Sequence, residues 1–77
     1  MNWQGKHIHF VGIGGIGMSG IAKMLLSQGS AVTGSDLVYS RKVKQLQELG
    51  ARVAVGHSPD NIPPETEVVV VSAAIMR

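Results

Sequence analysis

Five glycines fall within twelve residues, HFVGIGGIGMSG at positions 9–20, directly after a short apolar run. Gly12, Gly14 and Gly17 satisfy G-x-G-x-x-G. That pattern lets a buried strand turn into a helix whose first amides face a phosphate. In this reading Gly12 makes the tight turn out of the strand. Gly14 and Gly15 leave room for a ligand to approach the backbone, and Gly17 and Gly20 let the helix lie close to the strands. Amides at a helix start lack intrahelical partners, and the helix dipole favours negative charge there. Ser19 offers a hydroxyl donor or closes the first turn. The loop differs from an ATP-type phosphate loop. Gly15 and Gly20 have the required separation, but Ile21 stands where the lysine belongs and Lys23 lies further along the helix.

The segments around this loop repeat the alternation it implies. HIHFV (7–11) reads as a strand buried on both faces. Met18, Ile21, Ala22, Leu25 and Leu26 recur at helical spacing until Gly29. AVTGSD (31–36) is a second strand, and Ser40 caps a helix in which Val43, Leu46 and Leu49 share a face before Gly50. ARVAV (51–55) is a third strand. The segment 56–66 holds all three prolines and has room for a single helical turn at most. EVVVVSAA (67–74) is a fourth strand, with valines too continuous for a water-facing sheet edge.

This β-α-β-α-β-loop-β order predicts an α/β, Rossmann-like parallel sheet with strand order 3-2-1-4, part of a doubly wound domain. Two successive right-handed crossovers in one direction put both helices on one face. The other face receives only the 56–66 connection, whereas parallel sheets are normally covered on both sides. The chain therefore reads as the opening portion of a longer protein, or as one that dimerises over the bare face.

Composition narrows the function classes. With 77 residues the chain can make one small domain or part of a larger one. There is no cysteine, which excludes disulfides and thiolate metal sites. No apolar run approaches the length of a membrane span and no signal peptide is apparent, so the expected location is the cytoplasm, with no membrane partner. The net charge of +2 suits an anionic ligand. RKVK at 41–44 is the one basic cluster, and Trp3, Phe10 and Tyr39 are scattered, so nucleic acid is not expected. Arg41 and Lys42 open a helix, where the dipole disfavours cations; a nearby anion would relieve that conflict.

Asp36 ends the second strand, 19 residues past Gly17, where a carboxylate can accept hydrogen bonds from ribose hydroxyls or a base N–H, or cap a turn with Ser35. Ser72, Ala73 and Ala74 close the fourth strand beside the glycine loop. They border a nucleotide there, or simply end the strand. His57, in VGHS, reads as a turn residue. His7 and His9 have an i, i+2 spacing that can hold a metal but lack a third ligand, so packing is expected and no metal site. From the residues alone, the dinucleotide-binding portion of an NAD-dependent oxidoreductase fits the turn and Asp36, and a regulatory nucleotide sensor is a further reading.

HFVGIGGIGMSGIA at 9–22, GSDL at 34–37 and VVVVSAAI at 68–75 together resemble the N-terminal domain of the Mur ligases. The resemblance covers essentially the whole chain but only the opening part of a three-domain enzyme. It implies that residues 1–77 form part of the domain holding the UDP moiety of UDP-N-acetylmuramate. The ATP- and magnesium-binding domain and the C-terminal domain would then lie outside the chain. By matching motif, Gly14, Gly15, Ile16, Gly17, Met18 and Ser19 would line the diphosphate, beyond the Gly12 turn. Asp36 would meet the uridine, and Ser72, Ala73 and Ala74 would border the nucleotide. The implied reaction is ATP-dependent amide-bond formation through an acyl phosphate. Its catalytic residues would lie beyond this chain, which alone is expected to be an inactive binding module with no cofactor of its own.

Overall fold

The computed structural model describes residues 3–73. Four parallel strands, β1 (His7–Val11), β2 (Ala31–Asp36), β3 (Arg52–Val55) and β4 (Val68–Val71), lie in the order β3-β2-β1-β4. Helices α1 (Met18–Ser27) and α2 (Arg41–Glu48) make the first two crossovers. The third connection contains one 3₁₀ turn, Pro59–Asn61, started by Pro59 and capped by the Ser58 hydroxyl, which accepts from the Asp60 amide at 3.2 Å. This is the α/β arrangement the spacing predicts. β3 starts one residue later than expected. β4 is shorter than the expected 67–74, and Ala74 lies outside the described residues.

Both helices end in the same way. Gly29 and Ser30 donate to the Leu26 and Leu25 carbonyls, and Gly50 and Ala51 to those of Gln47 and Leu46, which satisfies carbonyls a helix end leaves open. At the start of α2 the Ser40 hydroxyl accepts from the Val43 amide at 3.3 Å. The core lies between the sheet and the helices: Ile8, Phe10 and Val32 pack with Ile13, Ala22, Leu25, Val43 and Leu46. Gly34 on β2 is where the layers approach most closely. A Cβ there would sit 2.7 Å and 2.9 Å from Ile13 side-chain atoms and 2.9 Å from the Phe10 carbonyl oxygen.

The opposite face is different in kind. His9, Thr33 and Ser35 point there, and the 56–66 connection crosses above them. His9 is 1% exposed, and its Nδ1 pairs with Thr33 Oγ1 at 2.7 Å. Beyond the connection, β4 is an edge among the described strands. Val68 and Val70 pack on the core, whereas Val69 and Val71, in register with His9 and Val11, stay 47% and 39% exposed. The continuous valines therefore do not keep β4 off an edge among the described strands; alternate ones face a surface that no described residue covers.

Two outcomes follow from this packing. Gly34→Ala forces a methyl into backbone and branched side-chain atoms and should cost about 2 kcal/mol or more in urea unfolding; a loss below about 0.5 kcal/mol would contradict the close approach. Burial, and secondarily the neighbouring His57, hold the His9 imidazole below its ordinary value of 6.5. The unfolded chain therefore binds the proton more readily, and stability should fall as pH drops below about 6.5 and level off above it. His9→Gln should flatten that slope; an unchanged slope would assign it elsewhere.

Candidate functional site

The carboxyl ends of β1, β2 and β4 meet at one edge of the sheet, where the loop 12–17 connects β1 to α1. The loop is held mainly by the end of β2. The Ser35 carbonyl accepts from both the Gly12 and Ile13 amides, at 2.8 and 3.0 Å. Asp36 Oδ2 accepts from the Gly14 amide at 2.9 Å, while its Oδ1 takes the Val38 amide at 3.1 Å. Gly15 then donates back to the Gly12 carbonyl at 3.0 Å, and Met18 to that of Gly15 at 3.1 Å.

These bonds leave a specific set of donors over. The amides of Ile16, Gly17 and Gly20 find no acceptor among the described residues. All three lie in the last loop residues and the first turn of α1. Gly17, the N-cap, is in the left-handed region with φ of 80° and provides no side-chain cap. The first turn of α1 holds no acidic residue. Unpaired amides at an uncapped helix start are the kind of donor set that phosphate sites use.

The other expected site residues take varied places. The space at Gly14 belongs to the protein: a Cβ there would meet Asp36 Oδ2 at 3.0 Å, Val43 at 3.2 Å and Ser40 Oγ at 3.3 Å. At Gly15 a Cβ would meet the Gly12 carbonyl at 3.2 Å and Ser72 Oγ at 3.4 Å, which brings Ser72 against the loop. Among the described residues nothing lies within 4 Å of a Cβ at Gly17 or Gly20, so neither makes a close helix–strand approach there, contrary to expectation. Gly17 is required for its positive φ, and Gly34 makes the close approach. The Met18 side chain is in the core, and Ser19 lines a groove between α1 and α2 with Lys23 and Lys42. Ala73 is exposed after the end of β4. Asp36 is half-buried and braces the loop, with lone pairs left on both oxygens.

Sequence reasoning missed two features. One is an apolar rim at this edge: Ile16 is 98% exposed, Leu37 66%, Val38 63%, Tyr39 55% and Val55 62%. The run LVY after a strand end, fitting neither strand nor helix period, was its available signal. The other is His57, whose Nδ1 pairs with Ser35 Oγ at 2.6 Å and whose Nε2 is buried without a partner among the described residues. No group of three or more His, Cys, Asp or Glu converges among the described residues, and no helix there is long and apolar enough to cross a membrane.

Comparison with known proteins identifies the family and the fold. The family described as "Mur ligase family, catalytic domain" matches residues 7–77. A UDP-N-acetylmuramate–L-alanine ligase of Roseobacter denitrificans is 62% identical over 68 residues, 88% of this chain and 14% of that protein. The same-named enzyme of Persephonella marina is 53% identical over 72 residues, 94% of this chain and 16% of that protein. Among solved structures, a UDP-N-acetylmuramate-alanine ligase from Thermotoga maritima superposes with a TM-score of 0.81 at 41% identity, over 88% of this chain and 16% of that one. A murein peptide ligase from Psychrobacter arcticus superposes at 0.79 and 35%, over 87% of this chain and 14% of that one. The chain thus spans about 14% to 16% of the length of these relatives. From the match across residues 7–77 and the shared fold, the chain belongs to the Mur ligase family.

Proposed function

We propose that this chain is part of a UDP-substrate-binding domain and that its glycine loop holds the diphosphate of UDP-N-acetylmuramate. The observation that carries the reading is the set of unpaired amides at Ile16, Gly17 and Gly20. They supply directed donors and a favourable dipole without a cationic side chain. Gly12, Gly14, Gly15 and Met18 shape the loop, and Ser19 flanks it. Asp36 fixes Gly14 and keeps lone pairs for the uridine side, where Leu37, Val38 and Val55 offer apolar surface to a base. Ser72, Ala73 and Ala74 border the nucleotide from the end of β4.

In the parent protein the chemistry would be ATP-dependent addition of L-alanine to the muramoyl carboxylate in cytoplasmic peptidoglycan precursor synthesis. The carboxylate would take the γ-phosphoryl group of ATP, releasing ADP and giving an acyl phosphate; the amine would attack its carbonyl carbon, and inorganic phosphate would leave as the amide forms. ATP and magnesium do not fit the residues described here: Ile21 occupies the lysine position of a phosphate loop, and no carboxylate cluster is present among them. In this reading the chain is a binding module, and ligation belongs to the parent protein. The surface bearing Val69 and Val71 is where the remainder of the parent, or a second copy, would pack.

Calorimetric competition tests the ligand. UDP-N-acetylmuramate and UDP should compete for one site and NAD should not; tight NAD binding with no response to UDP ligands would overturn the reading. Gly17→Val should weaken UDP binding roughly tenfold or more, because a β-branched residue resists positive φ. The same change should leave α1 seated on the sheet, since nothing packs at that position. Unchanged affinity would remove Gly17 from the site. Asp36→Ala, which releases the Gly14 and Val38 amides, should reduce affinity by about 1–3 kcal/mol. Normal affinity in the folded fraction would limit Asp36 to a folding role.

A further inference from the structure

We infer that His57 is a positioning residue for the glycine loop, acting through Ser35; the inference rests on the diphosphate reading of that loop. Ser35 is 2% exposed and does two jobs at once. Its carbonyl accepts the Gly12 and Ile13 amides that set the turn, and its hydroxyl pairs with His57 Nδ1 at 2.6 Å. The next residue, Asp36, is tied to the same connection: its carbonyl accepts from the Gly56 amide at 2.8 Å. The Gly56 carbonyl in turn accepts from Asn61 Nδ2 at 3.0 Å. Residues 56 and 57 thus hold both β2 residues that hold the loop.

What makes His57 more than another packed side chain is the space around it. On the face away from the helices, the end of β2 does not meet a filled core. It borders a cavity of about 270 Å³ lined by His9, Val11, Ser35, His57, Ser58, Pro59 and Ile62. Pairing with β1 and β3 fixes the strand end within the sheet, and on this open side the His57 hydrogen bond is the directed contact that orients the Ser35 residue. Among the described residues the ring is oriented through one nitrogen, since Nε2 is buried and finds no partner there. The geometry therefore assigns the effect to Nδ1. The β3–β4 connection, distant in sequence from residues 12–20, becomes a brace for the anion site.

Three variants separate this role from general stability. Asn places an amide group where Nδ1 stood and lacks anything at Nε2, whereas Phe fills the ring volume without a hydrogen bond. His57→Asn should bind UDP within about threefold of the parent chain, and His57→Phe and Ser35→Ala each roughly tenfold more weakly. The double variant should be no weaker than the weaker single, because both remove one contact. In the unliganded chain, the amide NMR signals of Gly12 and Ile13 should move in His57→Phe and Ser35→Ala but hold in His57→Asn. Unmoved signals and parent-like affinity in His57→Phe would overturn the inference. So would equal loss in His57→Asn and His57→Phe, which would point to Nε2 and direct ligand contact. Should His57→Phe not fold, Ser35→Ala decides: unmoved Gly12 and Ile13 signals there overturn it. If the parent chain does not bind UDP while the signals move as expected, positioning stands and the diphosphate reading falls.

Discussion

The end of β2 holds the glycine loop, and the site depends on that attachment. A loop this rich in glycine has little conformational preference of its own and loses more backbone entropy on ordering than any other composition. Its shape has to come from outside. The Ser35 carbonyl takes two of its amides and the Asp36 carboxylate a third. Because β2 is paired on both sides, by β1 and β3, its end is a firm support. The amides not used in this attachment are the ones presented to solvent at the head of α1. Loop order thus draws on donors separate from those proposed for the ligand, so the loop is shaped by its own bonds to β2.

The two faces of the sheet divide the work. On one, α1 and α2 bury the aliphatic core, and the missing side chain of Gly34 lets Ile13 cross over β2, fully buried. That crossing leads the chain from β1 over the sheet and into the loop. On the other, His9, Thr33, Ser35 and His57 form two hydroxyl–imidazole pairs beneath the β3–β4 connection. A buried polar layer of this kind is sensitive to geometry, since each group has few partners to choose from. Here it supports the same strand end from behind.

Much of this was legible in the sequence, and the limits are physical. Hydrophobic period and punctuation by Gly, Ser and Pro placed β1, β2 and both helices, and crossover handedness gave the strand order. The family resemblance rests on HFVGIGGIGMSGIA, GSDL and VVVVSAAI, and the comparisons agree with it. The individual glycine roles were not legible. Spacing reports the local chain, whereas Gly14, Gly17, Gly20 and Gly34 are distinguished by what lies across from them in space. The local sequence VGHS marks His57 only as a turn residue, because its partner is 22 positions away on another strand. The exposed run Leu37–Tyr39 escaped because periodicity marks what is buried, and these side chains are not.

The central claim is that backbone amides at the start of α1 grip a diphosphate. Through-hydrogen-bond scalar coupling between amide nitrogen and phosphorus, measured on the labelled chain saturated with UDP, reads that contact without inference from affinity. The account predicts couplings to UDP phosphorus from amides in the set Ile16, Gly17 and Gly20, and none from Gly12, Ile13 or Gly14, whose protons are already committed. Couplings arising only from amides outside that set, under saturation, would contradict it.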